Sequence, residues 1–289
     1  MAIYGVVAMS SRFAGNVEFK KLLAGETDVD LPRLMLEFAG DAYPQLDETV
    51  CLAELDRLGR LAAKELEQLP GRDDSLEQRL AAISRVLYEA QGFRGNDEEY
   101  YDPRNSYLND VLERRLGIPI SLGIVYMAVA TRIGLPVDGV CTPGHFVLTS
   151  GDDEERWFID PFTAGEVLSL DACRRRVESR LGEEQVLSDE HFQPAPVLAV
   201  AARVLRNLKA AYAMDNRWLE LLAVQQRLAV LLPDLPDERR DLGLVYLRTG
   251  DGLQALDLLN EHLKNCPPDE AQSLAPYIRS ARRMVAERN

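Results

Sequence analysis

Apolar residues recur at helical spacing through most of the chain. Between residues 46 and 68, Leu52, Leu55, Ala62 and Leu66 fall on one stripe of a helix. Leu76, Leu80, Ile83 and Leu87 repeat the pattern over 75–91, and the segment QGFRGND, with Gly92 and Gly95, ends that run. Residues 1–95 therefore read as helical. A short helix is predicted over 105–116, stopped by Gly117. Pro119 then takes a first helical position, where its missing N–H costs nothing. The segment 119–133 is apolar nearly all round, with Ile120, Leu122, Ile124, Val125, Met127, Val129 and Ile133, so this helix lies inside a domain. Gly134 stops it and Pro136 prevents a restart.

The pattern then changes. Residues 137–149 and 156–160 read as two strands joined by the turn GDDEE. Residues 163–195 form a polar, mostly helical connector. From about 196 the chain is helical again, and an internal period appears: Leu208 and Leu242, Tyr212 and Tyr246, and Pro233 and Pro267 are each 34 residues apart. That is the period of the tetratricopeptide repeat, a helix–turn–helix unit that stacks on its neighbours. In the second copy, Leu242, Gly243, Tyr246, Ala255 and Pro267 fall at the expected offsets; small Gly243 and Ala255 let two helices approach and Tyr246 fills the gap. The first copy departs, with Lys209 where a small residue is usual. The last segment, 270–289, reads as a capping helix.

The balance of charge is acidic, 33 basic against 47 acidic residues for a net −14. A field of that sign repels phosphate backbones and anionic membrane surfaces, which argues against a nucleic-acid or membrane partner. The run Arg174-Arg175-Arg176 has Glu178, Glu183 and Glu184 close behind and reads as a solvated, salt-bridged helix face. Cys51, Cys141, Cys173 and Cys266 form no CxxC pair, which implies free thiols in a reducing compartment. His145, His191 and His262 are scattered, so neither a metal site nor a cofactor is expected. The start, MAIYGVVAMSSR, lacks the basic segment of a signal peptide, and no stretch approaches the ~18 apolar residues of a membrane span. A cytoplasmic location is expected.

The strings YYDPRNSYLNDVLERR, GIPISL, PGHF and IDPF resemble the transglutaminase-like domain of the bacterial SirB family, whose members join that domain to C-terminal tetratricopeptide repeats. The resemblance covers nearly the whole chain. It implies a mostly helical α+β protein, with a transglutaminase/papain-like core and a small antiparallel sheet. It also implies two domains, 1–195 (core about 96–170) and 196–289. In the wider group a cysteine opens the buried helix, where helix-terminal N–H groups stabilise a thiolate. A histidine on the next strand moves the proton and an acid on the following strand orients it. His145 matches the histidine and Asp160 the acid. The nucleophile position falls near 119–121, where no cysteine stands.

Ser121 lies in the right turn, either as a nucleophile or as a first-turn serine bonded to backbone. Cys141 precedes His145 by four residues, roughly 13 Å along an extended strand at ~3.3 Å per residue, beyond reach unless Pro143-Gly144 folds the strand back. It reads otherwise as a buried structural thiol. His145 and Asp160 either bind a ligand or tie two strands together. Arg104 is placed to bind a carboxylate or phosphate, or to pair within the chain; Asn105 reads as a ligand contact or a helix cap. Two function classes follow. One is a non-catalytic regulatory protein acting on a protein or peptide partner. The other is an amide hydrolase or acyl transferase using Ser121 or Cys141 with His145 and Asp160.

Overall fold

The computed structural model describes residues 12–68, 75–152, 155–181 and 187–287. The apolar start, part of the GDDEE turn, and Glu183 and Glu184 lie outside them. The chain forms two compact units, Ala24–Val204 and a second made of Met1–Leu23 with Leu205–Asn289. The change of unit at 204/205 falls within a helix.

In the unit 24–204 the helix starts follow short polar side chains. Asp30, Asp47 and Ser75 each accept a backbone N–H of the helix they precede: α2 (Leu31–Ala39), α3 (Glu48–Glu67) and α4 (Leu76–Ser84). After α4 the backbone widens into a π-helical turn, Arg85–Ala90. Two residues of β1 (Arg94–Gly95) pair in parallel with β2 (Leu116–Gly117). Between them lie a 3-10 turn, Pro103–Asn105, and α5 (Leu108–Arg114). The stop expected at Gly117 comes earlier, at Arg115, which takes a left-handed φ of 60°. Gly117 instead permits a close approach, because a Cβ there would sit 2.7 Å from the Ser121 hydroxyl.

Helix α6 (Pro119–Arg132) is buried at every residue from Pro119 to Ala130. An antiparallel sheet follows in the order β3 (Asp138–Val140), β4 (Val147–Gly151), β5 (Arg156–Asp160), β6 (Glu166–Leu168). The strand predicted over 137–149 is therefore two strands, folded back at Thr142–His145 with Gly144 at φ 66°. β6 breaks the connector predicted as mostly helical; α7 (Leu170–Glu178) and a 3-10 turn, Asp189–Phe192, supply its helical part. Phe146 fixes the sheet against α6: a Cβ at Gly123 would lie 2.7 Å from its ring, and one at Gly139 2.6 Å. Val140, Val147, Phe158, Leu168, Cys173, Val177 and Phe192 form the core on the α7 side.

In the other unit, α1 (Val17–Leu23) comes with Phe13 and Phe19, whose rings lie 4.3 and 5.0 Å from the buried guanidinium of Arg227. Arg227 belongs to α9 (Trp218–Leu231), which follows α8 (Val197–Met214). Then come α10 (Pro236–Arg248), α11 (Gly252–His262) and α12 (Pro268–Glu287). The starts of α9 and α11 repeat the 34-residue period. Gly243 faces Leu259 and Leu258, at 3.0–3.2 Å from an added Cβ, rather than Ala255; Ala255 packs with Leu247 and Ala281 instead. Lys209, the departure in the first copy, reaches across to Glu238 (2.9 Å) and Asp241 (2.6 Å) on α10. A small residue there would leave Glu238, only 6% exposed, without that cation.

Candidate functional site

Asp160 is the last residue of β5 and ends it with its own side chain. Oδ1 accepts the Phe162 N–H at 3.0 Å and Oδ2 accepts the Thr163 hydroxyl at 3.1 Å. The turn so formed packs on the π-helical turn: Ser84 Oγ donates to the Gly165 carbonyl at 2.9 Å, and a Cβ on Gly165 would press on Ser84 and Tyr88 at 2.5 Å. His145 stands two residues before β4, at the fold-back. Its N–H bonds to the Thr142 carbonyl and its own carbonyl accepts the Thr142 hydroxyl at 2.8 Å. These two local turns bring the His145 Nε2 to 3.1 Å from Asp160 Oδ2, both side chains fully buried.

The other face of the ring meets a residue that spacing does not single out. Arg180, just past α7, places Nη1 2.6 Å from His145 Nδ1 and 3.1 Å from Nε2. A guanidinium only donates and Asp160 only accepts. Nε2 faces the Asp160 carboxylate, and the Arg180 guanidinium lies over the ring within hydrogen-bond distance of both nitrogens, so a cation covers the side that Nδ1 presents. Arg176 adds a contact to Asp160 Oδ2 at 3.4 Å while pairing with Glu166 at 2.8 Å. Burial alone would raise the Asp160 carboxyl, but the His145 hydrogen bond, the Phe162 N–H and Arg180 hold it down at about 2. The arginine run is thus not simply a solvated face. Arg176 turns toward the carboxylate, and Arg174 lies 4.9 Å from the Phe192 ring and donates to the Leu187 carbonyl.

Neither nucleophile candidate is hydrogen-bonded to the ring. The Ser121 hydroxyl is 1% exposed; it accepts the Ile118 N–H at 3.1 Å and donates to the Asn105 carbonyl at 2.5 Å. It joins the start of α6 to the preceding 3-10 turn. Cys141 is half-buried rather than buried. Pro143-Gly144 does fold the chain back, yet the thiol's polar neighbour is Arg203, which donates to the Thr142 carbonyl at 2.6 Å. Burial raises the Cys141 thiol pKa above its ordinary value and Arg203 offsets this only in part. A neutral thiol is a weak nucleophile.

Asn105 is wholly buried. Its Nδ2 donates to the Glu99 carbonyl (2.6 Å) and the Tyr100 carbonyl (3.2 Å), and its Oδ1 accepts from Asn96 at 3.0 Å. Arg104 is half-exposed and pairs with Asp102 at 2.7 Å. Both have partners within the chain, on the loop that leads to α5.

A family model of the transglutaminase-like superfamily matches residues 49–206, and one of the tetratricopeptide repeat matches residues 208–288. A UPF0162 protein of Xylella fastidiosa (strain 9a5c) is 38% identical over 252 residues, which span 85% of this chain and 88% of that one. Protein SirB1 of Salmonella typhimurium is 32% identical over 218 residues, 75% of this chain and 79% of its own. The UPF0162 protein YchA of Escherichia coli K12 is 31% identical over 217 residues, with shares of 75% and 79%. No solved structure matches. The helical α+β fold with its small antiparallel sheet, the repeat region that follows it in sequence and these relatives together place the chain in the SirB1/UPF0162 family of transglutaminase-like proteins with C-terminal tetratricopeptide repeats.

Proposed function

We propose that the protein is a non-catalytic regulatory or interaction protein on a transglutaminase-like scaffold, acting through a protein or peptide partner. One observation carries the reading: the ring nitrogen that a general base would offer to a nucleophile faces Arg180 instead. A triad needs one imidazole nitrogen on the acid and the other on the nucleophile. Here the acid side is in place and the opposite side is closed by a cation. The Ser121 hydroxyl is bonded to backbone, and the Cys141 thiol has a raised pKa. The repeat region supports a protein partner, because stacked helical pairs present surfaces suited to peptides. Among the described residues no helix is long and apolar enough to cross a membrane.

The test is covalent labelling of the native chain with a thiol alkylator and a serine-directed fluorophosphonate, read by intact mass. The expected result is no labelling that depends on His145. Rapid stoichiometric labelling of Cys141 or Ser121, lost in His145→Ala, would instead favour the hydrolase or acyl-transferase reading.

A further inference from the structure

The three histidines are far apart in sequence, but the turn between α11 and α12 gives one of them metal-ligand company. We propose that His262, Cys266 and Glu270 form a site for a single divalent cation of the zinc type. α11 ends at His262, the chain turns through 263–267, and Glu270 lies in the first turn of α12. Spacings of four and four across that break bring one imidazole nitrogen, one sulfur and one carboxylate oxygen within 4.8 Å of one another. Ligands of one tetrahedral zinc, at bond lengths of ~2.0–2.3 Å, stand roughly 3.3–3.7 Å apart, so small side-chain rotations close the set. The His262 Nε2 is already 3.0 Å from Glu270 Oε1.

A plain ion-pair network accounts for part of this cluster. Arg240 reaches Glu270 at 2.6 Å, and His262 shares the same oxygen. Two features fall outside that network. The His262 side chain is only 5% exposed, yet its Nδ1 is buried with no hydrogen-bond partner among the described residues. Cys266 is a half-buried free thiol that lines the same cavity of about 270 Å³, as do Asp237 and Glu261. Nitrogen, sulfur and carboxylate together match zinc rather than the all-oxygen preference of magnesium or calcium. Arg240 can yield Glu270 to the cation because it also holds Asp237 and Asp241, each at 2.9 Å. On binding, Cys266 gives its proton to solvent as the sulfur–metal bond forms, so affinity rises with pH. The fourth position is left to water. The bound ion would tie α12 to α11 and make the last helix's attachment metal-dependent.

The full chain is titrated with Zn²⁺ by calorimetry, and with Co²⁺ as a spectroscopic probe. The expected result is one equivalent bound, with a thiolate-to-cobalt charge-transfer band in the near ultraviolet. Cys266→Ser and His262→Gln should each weaken binding by at least about tenfold. Alkylation of Cys266 in the unaltered protein should slow when Zn²⁺ is present, a readout that does not depend on either variant folding. No uptake at micromolar Zn²⁺, a cobalt spectrum without the thiolate band, binding unchanged in both variants, or an unaltered alkylation rate would each overturn the site.

Discussion

Asp160 is held by backbone, hydroxyl, imidazole and guanidinium groups at once, so its charge has a thermodynamic signature. Its folded-state pKa of about 2 lies below the ordinary 3.8. The stability it contributes is therefore complete above about pH 4 and is lost as pH falls through about 2. The size is about 2 kcal/mol. Asp160→Asn should remove this acid-side dependence from a pH series of melting temperatures. At neutral pH it should also destabilise by about 2 kcal/mol or more, because His145, Arg176 and Arg180 lose the carboxylate charge they face. Ser121→Ala should cost about 1–3 kcal/mol in urea unfolding, since the Ile118 N–H and the Asn105 carbonyl each lose a buried partner. A neutral result there would mean that the hydroxyl does not tie α6 to the 3-10 turn. The resemblance and the order of buried helix and strands point to His145 and Asp160, with His145 expected on a strand; it stands instead in the fold-back two residues before β4. Arg180 was not legible in the sequence: it follows a helix whose charged residues look solvated, and no spacing rule links it to a ring 35 positions earlier.

At the scale of elements, the apolar helix α6 and the 34-residue period of the repeats were the strongest signals, and both correspond to real helices. The sheet was read less well. The stretch 137–149 reads as one strand apart from the Pro143-Gly144 pair, and it is there, with Gly144 left-handed, that the chain turns back. The three-residue strand β6 is too short for an alternation to show. Within the repeats the sequence marked Gly243 as a close-contact position but not its neighbour, because helix pairing sets the register. Since an added Cβ would meet Leu259 at 3.0 Å, Gly243→Leu overpacks α10 against α11. The expected loss is about 1–3 kcal/mol, seen as a lowered melting temperature. An unchanged melting temperature would show that this helix pair is looser than its packing indicates.

At the scale of the molecule, a net charge of −14 sets the expected partners. Mobility shift at moderate salt should detect no complex with DNA or RNA. A complex that weakens steeply with salt would instead reveal counterion release at a basic patch. Carboxylate and imidazole are joined, and the Arg180 guanidinium covers the imidazole's other nitrogen. In the proposed reading that cover keeps the scaffold from acting as a hydrolase. The measurement is the ¹⁵N spectrum of the imidazole nitrogens at neutral pH, with His145 assigned through His145→Gln. A protonated Nε2 facing Asp160 is expected, with an unprotonated Nδ1 beside the guanidinium whose resonance moves in Arg180→Ala. A doubly protonated ring, a proton on Nδ1, or a spectrum indifferent to Arg180→Ala would contradict it.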